Sequence, residues 1–222
     1  MVCGALRVRG IAVSRKRVVR LMAEEKLRHR LKRRFVVTTQ SGTGKPIAGN
    51  VLKQKFDVGA PNKVWAGDIT YMYTRQGWAY LAAVVDIGSR KVVGWNVAPS
   101  MEEHLVLGAL RRAIDERNPP PGLVHHSDQG KQYAGHAYQD LLAQHRIVCS
   151  MSRRGNCWDN ACVESFFSTL KRELPNDHVF EDWREAERAV FAYVDAHYNT
   201  RRPHSALAYR TPTEYEELHE AA

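Results

Sequence analysis

The sequence predicts an α/β domain, a mixed sheet of five strands with helices on its faces, preceded by a short basic helical segment. Three observations predict it. β-branched and aromatic runs separated by short turns occupy residues 64–98, helix-period and strand-period stretches alternate from 102 to 150, and the basic excess is confined to the start of the chain. The chain has 222 residues, 44% hydrophobic and 26% charged, which fits a folded chain of one or two domains and excludes disorder throughout.

Ser14 is placed to cap a helix whose apolar stripe is Val18, Val19, Leu21, Met22 and Leu27, with Arg15, Lys16, Arg17 and Arg20 around its start. Ala5 to Val8 reads as the stub of an earlier helix, with Gly10 in the turn, so the pair has the look of the second half of a helix-turn-helix. A solvated basic helix is the plainer reading. Residues 28–34, Arg-His-Arg-Leu-Lys-Arg-Arg, are too polar to pack and suit a phosphate-tracking arm, and the Thr, Ser and Gly of 38–50 suit a linker. Residues 1–60 carry 15 Lys/Arg against 3 acids, whereas the remainder carries 18 against 21. A basic arm on a mildly acidic domain points to nucleic acid. The divisions expected are a partial helix-turn-helix-like DNA-binding segment over 1–35, a linker over 36–60 and an α/β core with C-terminal helices over 61–219.

Within the core, strands are expected at Val64–Thr74, Trp78–Ile87 and Lys91–Ala98, joined as an antiparallel meander through Gln76-Gly77 and Gly88-Ser89. A helix over Glu102–Arg117 stops at Asn118-Pro119-Pro120-Pro121. Then follow a strand at Leu123–His126, a helix at His136–Gln144, a strand at Arg146–Ser150, and helices at Ala161–Leu174 and Trp183–Tyr198. Trp65, Trp78, Trp95 and Trp183 are expected in the core.

Asp68 sits mid-strand, where an acid is disfavoured and calls for a compensating partner. Asp86 ends the next strand, but Asp-Ile-Gly-Ser is ordinary turn chemistry. Asp128 follows a strand's carboxyl end, the place where α/β sheets build sites. Glu164 lies at the edge of the apolar stripe Val163, Phe166, Phe167, Leu170, Leu174, on a polar stripe with Asn160, Ser168 and Lys171. The 35 residues between Asp128 and Glu164 count for little alone, because 10 Asp and 14 Glu give about 0.6 such pairs at any spacing by chance. Context carries the weight: mid-strand, strand end, amphipathic helix edge. His125 and His126, ending a strand, read as structural. The four cysteines, Cys3, Cys149, Cys157 and Cys162, form no C-x-x-C pair and read as reduced thiols without zinc. No apolar run approaches the roughly 20 residues of a membrane span, and arginines occupy the place of a leader's apolar region, so a cytoplasmic, nucleoid-associated protein is expected.

The stretches Trp65-Ala-Gly-Asp-Ile-Thr-Tyr, His126-Ser-Asp-Gln-Gly-Lys-Gln-Tyr, Ser150 to Lys171 and Tyr198-Asn-Thr-Arg-Arg-Pro-His-Ser-Ala-Leu together resemble the DDE transposases of frameshifting bacterial insertion sequences. Their catalytic core is similar to retroviral integrase. The resemblance implies an RNase H-like fold, with Asp68, Asp128 and Glu164 as catalytic and metal-binding triad. It also implies Lys171 and Asn160 at the DNA. Three convergent carboxylates repel, by about 4 kcal/mol for a pair 4 Å apart at a dielectric near 20, so they need protons or cations. Hard oxygen ligands select two Mg²⁺ or Mn²⁺ ions, suited to in-line phosphoryl transfer. Arg153 and Arg154 are expected to bind phosphate, and Trp158 to contact DNA or pack its loop. Expected partners are DNA, further copies of the chain and an upstream-frame helix-turn-helix subunit. The match begins partway into the family's helix-turn-helix region, which puts end recognition in question. Two other readings stay open: a truncated DNA-binding regulator inhibiting a full-length transposase, and a nuclease without strand transfer.

Overall fold

The computed structural model describes residues 2–27, 48–52, 58–152, 160–174 and 179–221. Helices α1 (Val2–Val8) and α2 (Arg15–Glu24) come first. Ser14 caps α2 by accepting the Arg17 N–H at 3.2 Å, and Gly10 supplies a left-handed turn between the two. Only Val18 of the α2 stripe is buried; Val19, Leu21 and Leu27 stay exposed. α1 lies against the Tyr209 ring at Gly4, where any side chain would collide with it.

The core is one five-stranded sheet in the order β3-β2-β1-β4-β5, with β1 Val64–Thr74, β2 Gly77–Asp86, β3 Val92–Ala98, β4 Val124–Ser127 and β5 Val148–Met151. β1, β2 and β3 form the expected antiparallel meander, and β1, β4 and β5 run parallel. β2 is nearly all buried because both faces of the sheet are covered. Ala82 and Val84 face α3 (Glu103–Arg117) and α4 (His136–Gln144), while Leu81, Ala83 and Val85 face α5 (Ala161–Glu173) and α6 (Trp183–Tyr193). The strand and helix positions follow the sequence reading closely.

The described end of the expected linker lies on the core. Leu52 is buried, and Ser150 Oγ accepts the Val51 and Leu52 amides at 3.0 and 3.4 Å. The residues expected as a basic arm, 28–34, fall outside the described ones. Beyond α6 the chain makes a π-turn at Val194–Tyr198, a short 3₁₀ turn and a helix that sequence periodicity did not indicate, α7 (Pro212–Glu220). Asp86 proves to be turn chemistry: it accepts the amides of Asn62, Gly88 and Ser89. One tryptophan departs from expectation. Trp65 and Trp95 are buried, but Trp78 is 50% exposed, because it sits at the hairpin tip, paired with Tyr73, past the helices that cover the sheet.

Candidate active site

Asp68 shares the parity of Ala66 and Met72 on β1 and so points to the α5 side of the sheet. It is half-buried, and its Oδ1 accepts the amide of Ile69 at 2.8 Å. Burial raises its pKa first, then the charge of Asp128; Glu164 adds to the rise, the Ile69 bond and Lys171 oppose it, and the result is about 8. An ordinary isolated aspartate would titrate near 4.

Asp128 leaves the carboxyl end of β4 and folds back so that its Oδ1 accepts the Gly130 amide at 2.9 Å. Burial holds its pKa up, and the Gly130 bond partly offsets this. Glu164 stands half-buried in the first turn of α5, also raised by burial. Asp128 and Glu164, from two further elements, thus both act on Asp68. Among the described residues no three acidic, histidine or cysteine side chains are gathered tightly enough to hold a metal ion as they stand.

The supports are specific. Asn160, at the head of α5, is buried and donates its amide to the Gly67 carbonyl at 3.2 Å, fixing the helix start against the residue before Asp68. Under Gly67 lies the His125 ring, 3.0 Å from where a Cβ would stand, so this position admits no side chain without displacement. His125 Nε2 pairs with Tyr138 Oη at 3.1 Å, and burial holds the ring neutral with a pKa of about 3. His126 Nδ1 pairs with Ser150 Oγ at 2.9 Å. His125 thus ties β4 to α4, and His126 ties β4 to β5. Tyr133 is buried beside the acids and feels the charges of Asp68 and Asp128. It was not singled out from sequence, where a tyrosine after Gln132 carries no mark of what lies beneath it.

Lys171, two turns along α5 from Glu164, places its ammonium 4.5 Å from the centroid of the Tyr71 ring while its charge also acts on Asp68. Tyr71 too was unmarked in the sequence. Arg15, Lys16, Arg17 and Arg20 lie exposed on α2. Arg153, Arg154 and Trp158 fall outside the described residues.

Two models described as integrase core domain match the chain, over residues 59–157 and 145–212. The chain is 47% identical over 167 residues to the transposase for insertion sequence element IS904 of Lactococcus lactis, covering 75% of this chain and 66% of that protein. It is 41% identical over 212 residues to the transposase InsF for insertion sequence IS3A of Escherichia coli, covering 95% and 73%. An insertion element IS600 31 kDa protein of Shigella sonnei is 41% identical over 94% of this chain and 76% of its own length. Among solved structures, the HTLV-2 integrase catalytic core domain in complex with magnesium superposes with a TM-score of 0.53 at 18% identity, covering 71% of this chain and 98% of that one. The simian T-cell lymphotropic virus intasome bound to a PP2A regulatory subunit gives 0.56 at 18%, covering 96% and 69%. At such identity these structures establish the fold.

Proposed function

The chain belongs to the insertion-sequence transposases built on the integrase core domain, DDE-type polynucleotidyl transferases of RNase H-like fold, and from that membership we propose that it cleaves and joins DNA strands through Asp68, Asp128 and Glu164. The observation that carries the assignment to these residues is the convergence of charge on Asp68 from Asp128 and Glu164, three acids supplied by a strand, a strand end and a helix. Carboxylates so placed are costly unless protonated or matched by cations. The donor set is oxygen alone, with the nearby histidines committed to Tyr138 and Ser150, which fits Mg²⁺ or Mn²⁺ and not a soft metal. When bound, two such ions would lower the pKa of the attacking hydroxyl or water and stabilise the departing oxygen.

The chain's own groups do the rest by position. Lys171 offers a cation beside the acids to draw a phosphate toward them. Asn160 ties the start of α5 to β1 at Gly67, and His125, packed beneath Gly67, ties β4 to α4 through Tyr138, which supports the elements that carry the acids. In the displacement itself a new P–O bond forms to the incoming oxygen, the opposite P–O bond breaks, and the proton of the nucleophile passes to solvent. Water as nucleophile frees a 3′-OH, and that 3′-OH then joins to target DNA. No protein nucleophile takes part.

Residues 1–35 and the Arg153, Arg154 and Trp158 loop would hold DNA around this centre. Two DNA ends must be brought together, so the working form is a multimer, and an upstream-frame helix-turn-helix subunit would supply end recognition at the nucleoid, in the cytoplasm. Among the described residues no helix is long and apolar enough to cross a membrane.

The test is strand transfer by purified protein with Mg²⁺ or Mn²⁺ and oligonucleotides copied from the DNA flanking the gene. Joined product from the wild type that falls by at least about 100-fold in Asp128→Asn is expected, in line with the loss when groups supporting a metal are removed. DNA binding by both proteins with no product from either would favour a regulator that inhibits a full-length relative; cleavage without joining would favour a nuclease.

A further inference from the structure

The β1–β2 hairpin carries an aromatic surface that neither the core nor the acid site uses. Tyr71 and Tyr73 on β1 share the parity of Trp65, and Trp78 lies directly across from Tyr73, so the three rings stand on the sheet face that α3 and α4 cover lower down. Trp78 touches Tyr71 and Tyr73 edge to face, at 4.9 and 5.4 Å between centroids. Cross-strand packing accounts for those contacts. It leaves the outer surface unused: Tyr73 is 60% exposed and Trp78 50%.

Among the described residues the edge beside these rings is also unpaired: β4 accompanies β1 over Val64–Ala66, and pairing resumes where Thr74 meets Phe180. Lys171, on the opposite face with α5, reaches round this gap to set its ammonium over Tyr71. One lysine therefore touches both the neighbourhood of Asp68 and the aromatic surface. Tyr71 and Tyr73 lie three and five residues beyond Asp68, about 10 and 17 Å along the strand, or about three to five stacked nucleotides.

We propose that Tyr73 and Trp78 form a stacking platform for an unpaired base of the DNA strand leaving the acid site, with Lys171 holding the phosphate between. This rests on the strand-transfer reading for its substrate. Aromatic faces take any base, because every base offers a π-surface, while a lysine at the near end fixes the backbone's direction. The platform would hold a frayed DNA end open beside the centre that acts on it.

The experiment is equilibrium binding of the full chain to a labelled duplex with a single-stranded 3′ extension, in EDTA, so that no cleavage occurs. Each base of the extension is replaced in turn by an abasic unit. A loss of about tenfold for wild type at one or two neighbouring abasic positions is expected. Trp78→Ala should lose about tenfold on the intact extension and nothing further at those positions, and Trp78→Phe should keep most of the affinity. The abasic arm uses the unaltered protein, so misfolding of a variant cannot decide the outcome. Equal affinities at every abasic position, or an equal loss by Trp78→Ala on intact and abasic DNA, would overturn the platform. So would a change of assembly mass in Trp78→Ala by light scattering, which would make this surface a contact between copies. Base-dependent binding without joined product under Mg²⁺ would sink the strand-transfer reading and leave the platform; joined product with an indifferent Trp78→Ala would do the reverse.

Discussion

Single residues in this protein take their roles from what surrounds them, and the sequence displays that surrounding unevenly. Asp68 was legible because a carboxylate in a β-branched, aromatic run breaks the local rule, and broken rules cluster at sites. Trp78 was not, because a tryptophan in a strand looks the same whether helices cover its end of the sheet or stop short. His204 is a further case. It lies edge-on to Tyr198 at 4.8 Å, and burial, then the Arg202 charge, lower its pKa to about 4. Its native pKa being below the value near 6.5 of an unfolded histidine, the unfolded chain binds the proton more readily. The stability this contributes is complete above about pH 6.5 and is lost as pH falls toward 4. Urea melts of wild type and His204→Gln should therefore converge across that window, the wild type losing more on acidification; parallel pH profiles would show that the ring titrates alike in both states.

Elements are held by devices that periodicity does not reveal. The end of α5 meets α6 through Glu173, which accepts from Arg202 Nε at 3.0 Å and from Tyr193 Oη at 2.9 Å, just where the helix widens into its π-turn. α7 did carry a signal in the sequence: Thr211, Pro212 and Glu214 form a capping box with proline in the first turn. Its apolar stripe is too weak to announce a helix, because α7 is fastened mainly by charge. Glu216 is 5% exposed and takes a forked bond from Arg117 at 2.8 and 2.6 Å plus Lys91 Nζ at 3.0 Å. Burial pushes its pKa up, but the hydrogen bonds from Arg117 and Ser89 and the charges of Arg117 and Lys91 prevail and hold it below the usual range. Glu216→Gln leaves two partly buried cations short of a partner and should cost about 3 kcal/mol in denaturant unfolding. Since the native pKa is depressed, the wild type's advantage should persist above about pH 4.3 and fade as the glutamate protonates below it. A cost under about 1 kcal/mol at pH 7 would mean that water replaces the carboxylate.

At the scale of the whole molecule, charge is divided along the chain and not across one domain. The first 60 residues hold 15 Lys/Arg and 3 acids, and the rest is mildly acidic, with Asp128 and Glu164 both acting on a half-buried Asp68. On the proposed function, acids so placed would repel DNA until cations reach them, and a segment of opposite sign would hold the substrate near. The division of charge was readable from composition, whereas the approach of Asp128 to Asp68 needed the sheet order that sets β4 beside β1. It also separates two kinds of variant by experiment. On α2, Arg15, Lys16, Arg17 and Arg20 are exposed, and each phosphate contact released should contribute about 0.9 to the slope of log affinity against log salt on duplex DNA. Replacing all four by Ala should flatten that slope by up to about 3.6 and weaken binding to every sequence alike, while metal-dependent cleavage at saturating DNA persists. Asp128→Asn should do the opposite, abolishing cleavage with the salt slope intact. A fourfold Ala variant with an unchanged slope would remove α2 from the DNA interface and leave the basic residues beyond it to carry the charge.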